Sequence, residues 1–367
     1  MKEITIIGAG AAGLFAAQKL SQRSDVRVTV YERSPKAGTK LRASGGGRAN
    51  ILNTNILPHH YNDENFIKKV LEKADYDTLL SEFEAMGLKT IADEEGRVYP
   101  STLFAPTVVN VLLAQLGTKV NIRYETPVLS LKTANGKWHI NDEEKAYDKV
   151  IMASGSPAGM VVQKQKGYNH YLSDIQIKTK KLAPSLTGFI IRNYPKSLFG
   201  CRVRAEVSLF AQNQLIFKEK GEVMFKEDGI SGIVILNASA YYNRLENKDH
   251  CHLSLNLLPD DTQTDVKRHE EEFGSLAGIL HPKLCQLYER HPFDLRDFKM
   301  EIEGLYGIDS AQVCSGGILT SELTPDFQLK RHPGLYAIGE MVDIDGVCGG
   351  YNLFFAFASA LIATAKL

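Results

Sequence analysis

The chain has 367 residues, of which 44% are hydrophobic and 23% charged, a composition typical of a globular protein large enough for two domains. Lysine plus arginine and aspartate plus glutamate each total 43, so no net charge favours binding to nucleic acid or to an anionic membrane. The five cysteines form no Cys-x-x-Cys pair, which predicts reduced thiols in a cytoplasmic protein and excludes a dithiol redox relay.

Residues 1–32 predict a strand, a glycine-rich turn, a helix and a second strand. Gly8, Gly10 and Gly13 have the spacing Gly-x-Gly-x-x-Gly, which permits a tight turn, close approach of backbone to a pyrophosphate and close packing of helix on strand. The second strand ends at Glu32, a carboxylate suited to the hydroxyl groups of an adenosine ribose. The segment indicates dinucleotide binding, with a plain α/β turn as the alternative, and it does not distinguish FAD from NAD.

Residues 44–50 form a second glycine-rich segment, Ser-Gly-Gly-Gly-Arg-Ala-Asn. Three consecutive glycines weaken a helix or a strand, because each loses much conformational entropy on folding. Such a loop lets the backbone lie flat against a ligand, and Lys40 and Arg48 are suited to phosphate charge. Asn50 is suited to a hydrogen bond with a polar ring edge. A flexible surface loop is the alternative interpretation.

The next ninety residues contain regular elements in an order that suits a nucleotide-binding domain with a small antiparallel meander. We predict helices over 64–87 and about 106–116, a parallel strand over 120–124, a hairpin over 126–141 about an Asn-Gly turn, and a further strand over 147–154.

From about residue 175 to 310 the sequence changes character. Short alternating runs predict antiparallel strands of a second domain, and they lie at 188–192, 202–210, 214–217, 234–236 and 251–257. The motif Gly-Ile-Ser-Gly at 229–232 is expected in a loop between strands, and residues 265–288 are periodic enough for one or two helices.

Near the carboxy terminus, a predicted strand over 335–338 ends at Gly339 and Glu340. Gly349 and Gly350 then precede an almost wholly apolar helix, whose first N–H groups lack partners within the helix. One nucleotide can therefore be held by helix N-termini from both ends of the chain. Residues 353–365 carry no charge, but a membrane span needs about 20 apolar residues, so we expect a buried helix.

Several motifs together resemble one protein family over nearly the whole chain: GAGAAG at 8–13, SGGGRAN at 44–50, GRVYP at 96–100, GISG at 229–232, and LYAIGE and DIDGVCGGYN within 335–352. They resemble the HI-type, glutathione-reductase-like flavoproteins, a family that includes the bile-acid dehydro-steroid reductase and aminoacetone-oxidase-like proteins. The resemblance implies an α/β fold with a discontinuous Rossmann-like FAD-binding domain, residues 1–175 and 311–367. An inserted antiparallel β-barrel domain, residues 176–310, is expected to carry a small helical subdomain.

The resemblance also implies which residues bind FAD. Glu32 matches the family's ligand of the adenosine ribose, and Gly349 and Gly350 match the helix start beside the isoalloxazine. The chain departs from the family's pattern at Ala49, where many relatives have cysteine, and at Ile233, where proline is common. The full predicted cofactor-binding set is Gly8, Gly10, Ala11, Ala12, Gly13, Glu32, Arg33, Lys40, Ser44, Gly45, Gly46, Gly47, Arg48, Asn50, Val128, Ala153, Ser154, Gly155, Gly339, Glu340, Gly349, Gly350, Tyr351 and Asn352.

The implied activity is that of a FAD-dependent oxidoreductase that transfers a hydride through the flavin N5 and acts on a small molecule. Residues 150–310 contain no second Gly-x-Gly-x-x-Gly unit, so NAD(P)H is expected to dock only transiently as a reductant, and oxygen is the possible oxidant. Reduction of an activated C=C bond and oxidation of an amine both stay open. The alternatives are a flavin-binding sensor or accessory protein without turnover and, less compatible with the carboxy-terminal motif, an NAD-only dehydrogenase.

No catalytic acid or base is assigned from the sequence. Tyr168, His170 and Tyr171 lie in a loop that looks shorter than in the family and are candidates to reach a substrate. His59 and His60 have no partners at metal-ligand spacing, so no metal is predicted.

Overall fold

The computed structural model describes residues 1–159 and 170–367. Two compact units are formed, one by Met1–Ala183 with Val313–Leu367 and the other by Pro184–Gln312.

The chain begins and ends in the first unit and forms the second between its two parts. Up to the start of the second unit the helices and strands are β1 (Lys2–Ile7), α1 (Ala11–Ser21), β2 (Val26–Tyr31), α2 (Thr39–Ala43), β3 (Leu52–Asn53), α3 (Glu64–Leu71), α4 (Tyr76–Ala85), β4 (Thr90–Ala92), β5 (Arg97–Pro100), α5 (Pro106–Ala114), β6 (Val120–Arg123), β7 (Leu131–Ala134), β8 (Lys137–Ile140), β9 (Ala146–Tyr147), β10 (Lys149–Met152) and β11 (Thr179–Ser185). The second unit contains β12 (Phe189–Ile191), β13 (Arg202–Ala211), β14 (Gln214–Phe225), β15 (Gly229–Ser231), α6 (Ile233–Arg244), β16 (Cys251–Asn256), α7 (Gln263–Phe273), α8 (Pro282–Arg290) and β17 (Phe298–Leu305). The first unit resumes with β18 (Val313–Ile318), β19 (Leu335–Ala337) and α9 (Tyr351–Thr364).

A parallel sheet with strand order β19–β10–β1–β2–β6 forms the core of the first unit. Ile4 pairs with Val28 of β2, and Ile6 pairs with Ile151 of β10. Parallel strands that are covered on both faces appear in a sequence as continuous apolar runs. The strands β10 and β19 follow that rule, whereas β2 alternates valine with Arg27 and Thr29. The predicted α/β fold class with an antiparallel barrel is confirmed.

Helix α9 is buried, as its uncharged sequence predicted. Phe357 is fully buried, and its ring centroid lies 5.4 Å from that of Phe15 on α1 and 4.9 Å from that of Phe83 on α4. Aromatic pairs at such distances add to the free energy gained by burial. None of the helices in the described residues has both the length and the apolar character needed to cross a membrane.

Two local predictions for the first unit have different outcomes. The region 64–87, predicted as helical, is two helices, because the side chain of Asp75 accepts the N–H of Thr78 at 2.9 Å and caps a new start at α4. The hairpin prediction is confirmed, since β7 pairs with β8 about Asn135 and Gly136. Both turn residues have positive φ, 52° and 75°, as the favoured two-residue hairpin turn requires.

The second unit is built on a closed barrel with the strand order β12–β15–β14–β13–β16–β17. The strand predicted at 234–236 is wrong, because these residues belong to α6. A short apolar run does not distinguish a strand from a buried helix. The predicted loop at 229–232 is also wrong, since Gly229–Ser231 forms β15. A Cβ atom on Gly229 would overlap the carbonyl oxygen of Phe189 on the neighbouring strand, so the glycine serves strand packing.

Candidate functional site

The glycine-rich turn between β1 and α1 has two glycines that the chain itself requires and one that it does not. Gly8 has φ +103°, and a Cβ there would lie 2.6 Å from the carbonyl oxygen of Ala153. A Cβ on Gly13 would overlap the carbonyl oxygen of Gly8. A Cβ on Gly10, by contrast, would meet nothing within 4 Å. Open space over Gly10 at the N-terminus of α1 fits a dinucleotide pyrophosphate, which needs close backbone approach and free N–H donors.

Glu32, at the end of β2, holds this turn in place. Its carboxylate accepts the backbone N–H of Ala9 at 2.7 Å and that of Ser34 at 2.7 Å. The residue is buried, with 8% of its surface exposed. A carboxylate has about four acceptor positions, so two bonds to the chain leave capacity for ribose hydroxyl groups.

Lys40 and Glu340 form an ion pair between the two ends of the chain. The Nζ atom of Lys40 lies 2.9 and 2.7 Å from the two carboxylate oxygens of Glu340, a partner 300 positions away. The hydroxyl of Ser156 donates to the same carboxylate at 2.6 Å. The sequence predicted Lys40 as suited to phosphate charge; in the structure its ammonium group pairs with Glu340, and its role toward FAD stays a prediction. The pair brings the residues after the first glycine motif against the Gly339–Glu340 motif.

Cys314 lies beside this ion pair, and its thiol is not suited to act as a nucleophile. Its backbone N–H donates to the Glu340 carboxylate at 3.2 Å. Burial raises the pKa of the Cys314 thiol to about 11, so the thiol is protonated at neutral pH. A protonated thiol is a poor nucleophile.

The glycine loop 44–50 folds back onto the N-terminus of α9. Gly45, Gly46 and Gly47 all have positive φ, 56°, 64° and 85°, a conformation that glycine adopts without steric cost. With its amide oriented to satisfy both neighbours, Asn50 accepts the N–H of Gly350 at 3.1 Å and donates to the carbonyl of Leu52 at 2.9 Å. Asn50 thus joins two loops in the structure, and its predicted hydrogen bond to a ligand ring stays a prediction.

Three further contacts fix the loop that leads into α9. Asn53 donates to the carbonyl of Gly349 at 2.9 Å. The side chain of Asn352 accepts the N–H of Gly346 and donates to its carbonyl, both at 2.9 Å. A Cβ on Gly350 would overlap the carbonyl oxygen of Leu52, so the two loops meet too closely for any other residue there.

The first glycine turn and the carboxy-terminal motif also touch directly. A Cβ on Gly339 would lie 2.9 Å from the Cβ of Ala12 on α1. Segments that are hundreds of residues apart in sequence therefore meet in one region of the first unit.

A family model described as HI0933-like protein Rossmann domain matches residues 2–366. The chain belongs to the HI0933-like family. The predicted FAD-dependent oxidoreductase is confirmed at the level of this family, with the substrate left open.

Two curated proteins resemble this HI0933-like chain over nearly its full length. The 3-dehydro-bile acid delta(4,6)-reductase of Clostridium scindens is 29% identical over 411 residues, covering 99% of this chain and 98% of the relative. The ribosomal RNA dihydrouridine synthase of Escherichia coli is 28% identical over 401 residues, covering 97% and 95%. Among solved structures, the 3-ketosteroid delta1-dehydrogenase of Sterolibacterium denitrificans has 13% identity and a TM-score of 0.49, with both chains fully covered.

The candidate substrate residues of the loop after Gly155 are not supported as a group. Tyr168 lies outside the described residues, as does the side chain of His170. Tyr171 is 1% exposed, and its hydroxyl lies 2.6 Å from the hydroxyl of Ser154. Burial raises the pKa of Tyr171 above its usual range. Tyr171 is therefore buried against Ser154, and its role toward a substrate stays a prediction.

Arg48, another predicted phosphate ligand, contacts an aromatic ring of the segment 96–100. Its guanidinium lies 5.1 Å from the ring centroid of Tyr99, an arrangement typical of a cation–π contact.

The remaining predicted cofactor residues lie in varied surroundings: Arg33 is half-buried, and Val128 is 7% exposed. Gly155 has φ +71°, and a Cβ there would lie 3.9 Å from a carboxylate oxygen of Glu340. Within residues 1–159 and 170–367 no cluster of side chains is suited to hold a metal ion.

Sequence reasoning did not identify the residues that join the loops. Asn53, Ser156 and Asn62 each make long-range hydrogen bonds in this region; Asn62, for example, accepts the N–H of Asp345 at 3.0 Å. No motif or local spacing marks any of the three in the sequence. Only the tertiary contacts reveal these roles.

Removal of the Glu32 carboxylate is expected to weaken FAD binding at its adenosine end. We predict that Glu32→Ala raises the Kd of FAD by about 10- to 150-fold, because hydrogen bonds to a charged acceptor contribute about 1.5–3 kcal/mol. The redox potential of bound flavin should stay nearly unchanged, since the assignment of Glu32 to the adenosine ribose places it at the opposite end of the dinucleotide from the ring. Titration of apoprotein with FAD and a potentiometric titration measure the two quantities. Asp25→Ala, which removes an exposed acid just before β2, is the matched control. A large shift in the redox potential of Glu32→Ala would contradict the assignment of Glu32 to the adenosine ribose.

Proposed function

We propose that this protein reduces a carbon–carbon double bond conjugated to a carbonyl group in a small molecule, with NAD(P)H as the transient reductant of its FAD. FAD supplies the hydride at N5 when it is bound. The protein's own residues bind the dinucleotide, orient the ring and stabilise charge on the substrate.

The observation that carries this proposal is the meeting of the 8–13, 44–50 and 339–352 segments. It rests on the Lys40–Glu340 ion pair, the approach of Gly339 to Ala12, and the hydrogen bond between Asn50 and Gly350. These contacts support one continuous cradle from the N-terminus of α1 to the N-terminus of α9. We propose that the pyrophosphate lies over Gly10 and that the isoalloxazine lies near Gly350, where the helix dipole favours negative charge on the reduced ring.

The choice of reaction is supported by the names of both relatives. One name specifies reduction at the delta-4,6 positions of a 3-dehydro-bile acid, and the other specifies formation of dihydrouridine, the product of saturating a uridine double bond. Both reactions add a hydride and a proton to a C=C bond conjugated with a carbonyl. Amine oxidation has no such support.

A small-molecule substrate is favoured over RNA by charge. Lysine plus arginine and aspartate plus glutamate are equal at 43, whereas proteins that bind RNA carry an excess of basic residues. The exposed side chains of Phe104 (59%) and Leu103 (44%) adjoin the glycine loop, since Ala105 donates its N–H to the carbonyl of Gly47 at 2.7 Å. These side chains are suited to an apolar substrate.

Anaerobic reduction of the FAD-loaded protein tests the proposal. We expect NADH or NADPH to bleach the absorbance of oxidised flavin, and addition of 2-cyclohexen-1-one or a 4-ene-3-oxosteroid to restore it with formation of the saturated ketone. If oxygen or uridine-containing RNA reoxidised the reduced flavin and neither conjugated ketone did, the proposed substrate class would be contradicted. A protein that holds FAD but is not reduced by either nicotinamide would contradict the proposed reductant.

A further inference from the structure

Tyr124 lies directly after β6, beside the Glu32 carboxylate that we assign to the adenosine ribose. The residue before it, Arg123, pairs with Tyr31 of β2, and the Arg123 guanidinium donates to the Tyr31 hydroxyl at 3.0 Å. Successive side chains of a strand point to opposite faces of the sheet, and paired residues of neighbouring strands share a face. Because Tyr31 and Arg123 share one face, Glu32 and Tyr124 share the other.

A bulge in the backbone fixes Tyr124 at this position. The N–H of Glu32 donates to the carbonyl of Arg123, and the carbonyl of Glu32 accepts the N–H of Thr126, both at 2.9 Å. Two residues, Tyr124 and Glu125, therefore lie opposite Glu32, where a regular parallel ladder has one. Glu125 takes up the extra length with φ +51°, a conformation that few residues other than glycine adopt. The chain is thus bonded to Glu32 on both sides of Tyr124.

The side chain of Tyr124 is 39% exposed although it lies beside two charged groups. Partial burial and the Glu32 carboxylate raise the pKa of its hydroxyl, and the Arg42 guanidinium opposes that shift. The ring is therefore within electrostatic reach of the Glu32 carboxylate. That carboxylate in turn accepts the N–H of Ala9, the residue before Gly10, at 2.7 Å. The exposed ring thus adjoins the space that we assign to the adenosine end of FAD.

We propose that the Tyr124 ring packs on the adenine base of bound FAD. The base is attached to the ribose carbon next to the one that carries the 2′-hydroxyl, so a ribose held by Glu32 brings the base close to the same carboxylate. An aromatic side chain is suited to stack on a purine. The inference rests on the assignment of Glu32 to the adenosine ribose and goes beyond the proposed reaction, on which it does not depend.

Titration of the apoprotein with FAD, and competition between FAD and ADP, test the proposal. Tyr124→Ala should raise the Kd of both ligands by about 5- to 150-fold, the range typical of a lost contact between a base and an aromatic ring. Tyr124→Phe keeps the ring and should bind both ligands like the wild-type protein. Phe199→Ala is the matched control, because it removes an aromatic ring that is 55% exposed in the second unit.

A double-mutant cycle separates contact with the base from an effect through Glu32. A Tyr124 ring that touches adenine should contribute a similar factor when residue 32 is already alanine, so the double variant should raise the Kd of FAD by about the product of the single changes. A ring that only positions the Glu32 carboxylate would have no further effect in that background. Thermal unfolding of the apoprotein is the structural control, since the loss of an exposed ring should leave the midpoint nearly unchanged.

The outcomes decide between a contact with adenine and a structural role. An unchanged Kd of FAD or ADP in Tyr124→Ala, or no competition between ADP and FAD in the wild-type protein, would overturn the inference. An equal loss of affinity in Tyr124→Phe would assign the effect to the hydroxyl, and loss of the effect in the Glu32→Ala background would assign it to positioning; either result overturns the inference as well. The proposed function fails on a different measurement, the reduction of a conjugated ketone, so the two failures are distinguishable.

Discussion

Replacement of Gly10 by valine is expected to give a folded protein that contains no FAD. Gly10 has φ −80° and ψ −165°, an extended conformation that any residue adopts. A Cβ there meets no protein atom within 4 Å, so the chain itself has room for the larger side chain. The space it would fill is the one we assign to the pyrophosphate. The ratio of flavin to protein after gel filtration, together with a thermal unfolding curve, measures the two effects separately.

Gly13→Val is the informative comparison for this experiment. A Cβ on Gly13 would overlap the carbonyl oxygen of Gly8, so this variant should lose stability or solubility in addition to flavin. The pair thus separates loss of ligand space from loss of helix–strand packing. A folded Gly10→Val protein with full flavin content would show that the pyrophosphate lies elsewhere.

Truncation after Glu340 is expected to give an aggregating protein that cannot hold FAD. The deletion removes α9, whose Phe354, Phe355 and Phe357 are each no more than 2% exposed. Loss of one such ring typically costs about 3–5 kcal/mol, so loss of all three costs about 9–15 kcal/mol, which is comparable with the whole stability of an ordinary domain, about 5–15 kcal/mol. It also removes the Gly349–Gly350 turn and the helix N-terminus. Soluble yield and flavin content after gel filtration are the measurements.

Excision of Pro184–Gln312 with a short Gly/Ser linker is the counterpart of that truncation. The two ends of this unit lie together, since Gln312 donates its N–H to the carbonyl of Leu186 at 3.2 Å and β11 pairs with β18. We expect a soluble protein that retains FAD and loses most of its turnover. A soluble truncation after Glu340 with full flavin content would contradict the two-ended cradle, and an insoluble excision would contradict the insertion of one independent domain into another.

The amino-acid sequence by itself determined the features that depend on short-range patterns. Apolar runs predicted β1 and β19, and alternating valines predicted β2. An Asn-Gly pair predicted the hairpin between β7 and β8, and the motif Gly-x-Gly-x-x-Gly predicted the turn at Gly8. Each follows from backbone geometry or burial within a few residues. The same reasoning failed at 234–236, because a short apolar run is compatible with both a strand and a buried helix. It failed at 229–232 because the glycine there permits close strand packing against Phe189 and does not mark a loop. The domain boundaries and the FAD ligands stay predictions.

The tertiary structure alone decided which polar residues meet. Lys40 pairs with Glu340 across 300 positions, Asn50 joins Gly350, and His60 stacks on Tyr351. A hydrogen bond or ion pair forms only when the fold brings two side chains within about 3 Å, and no local periodicity records the identity of a distant partner. For this reason no sequence pattern marked Glu340 as the partner of Lys40 or Gly350 as the partner of Asn50, and the roles of Lys40 and Asn50 toward FAD stay predictions.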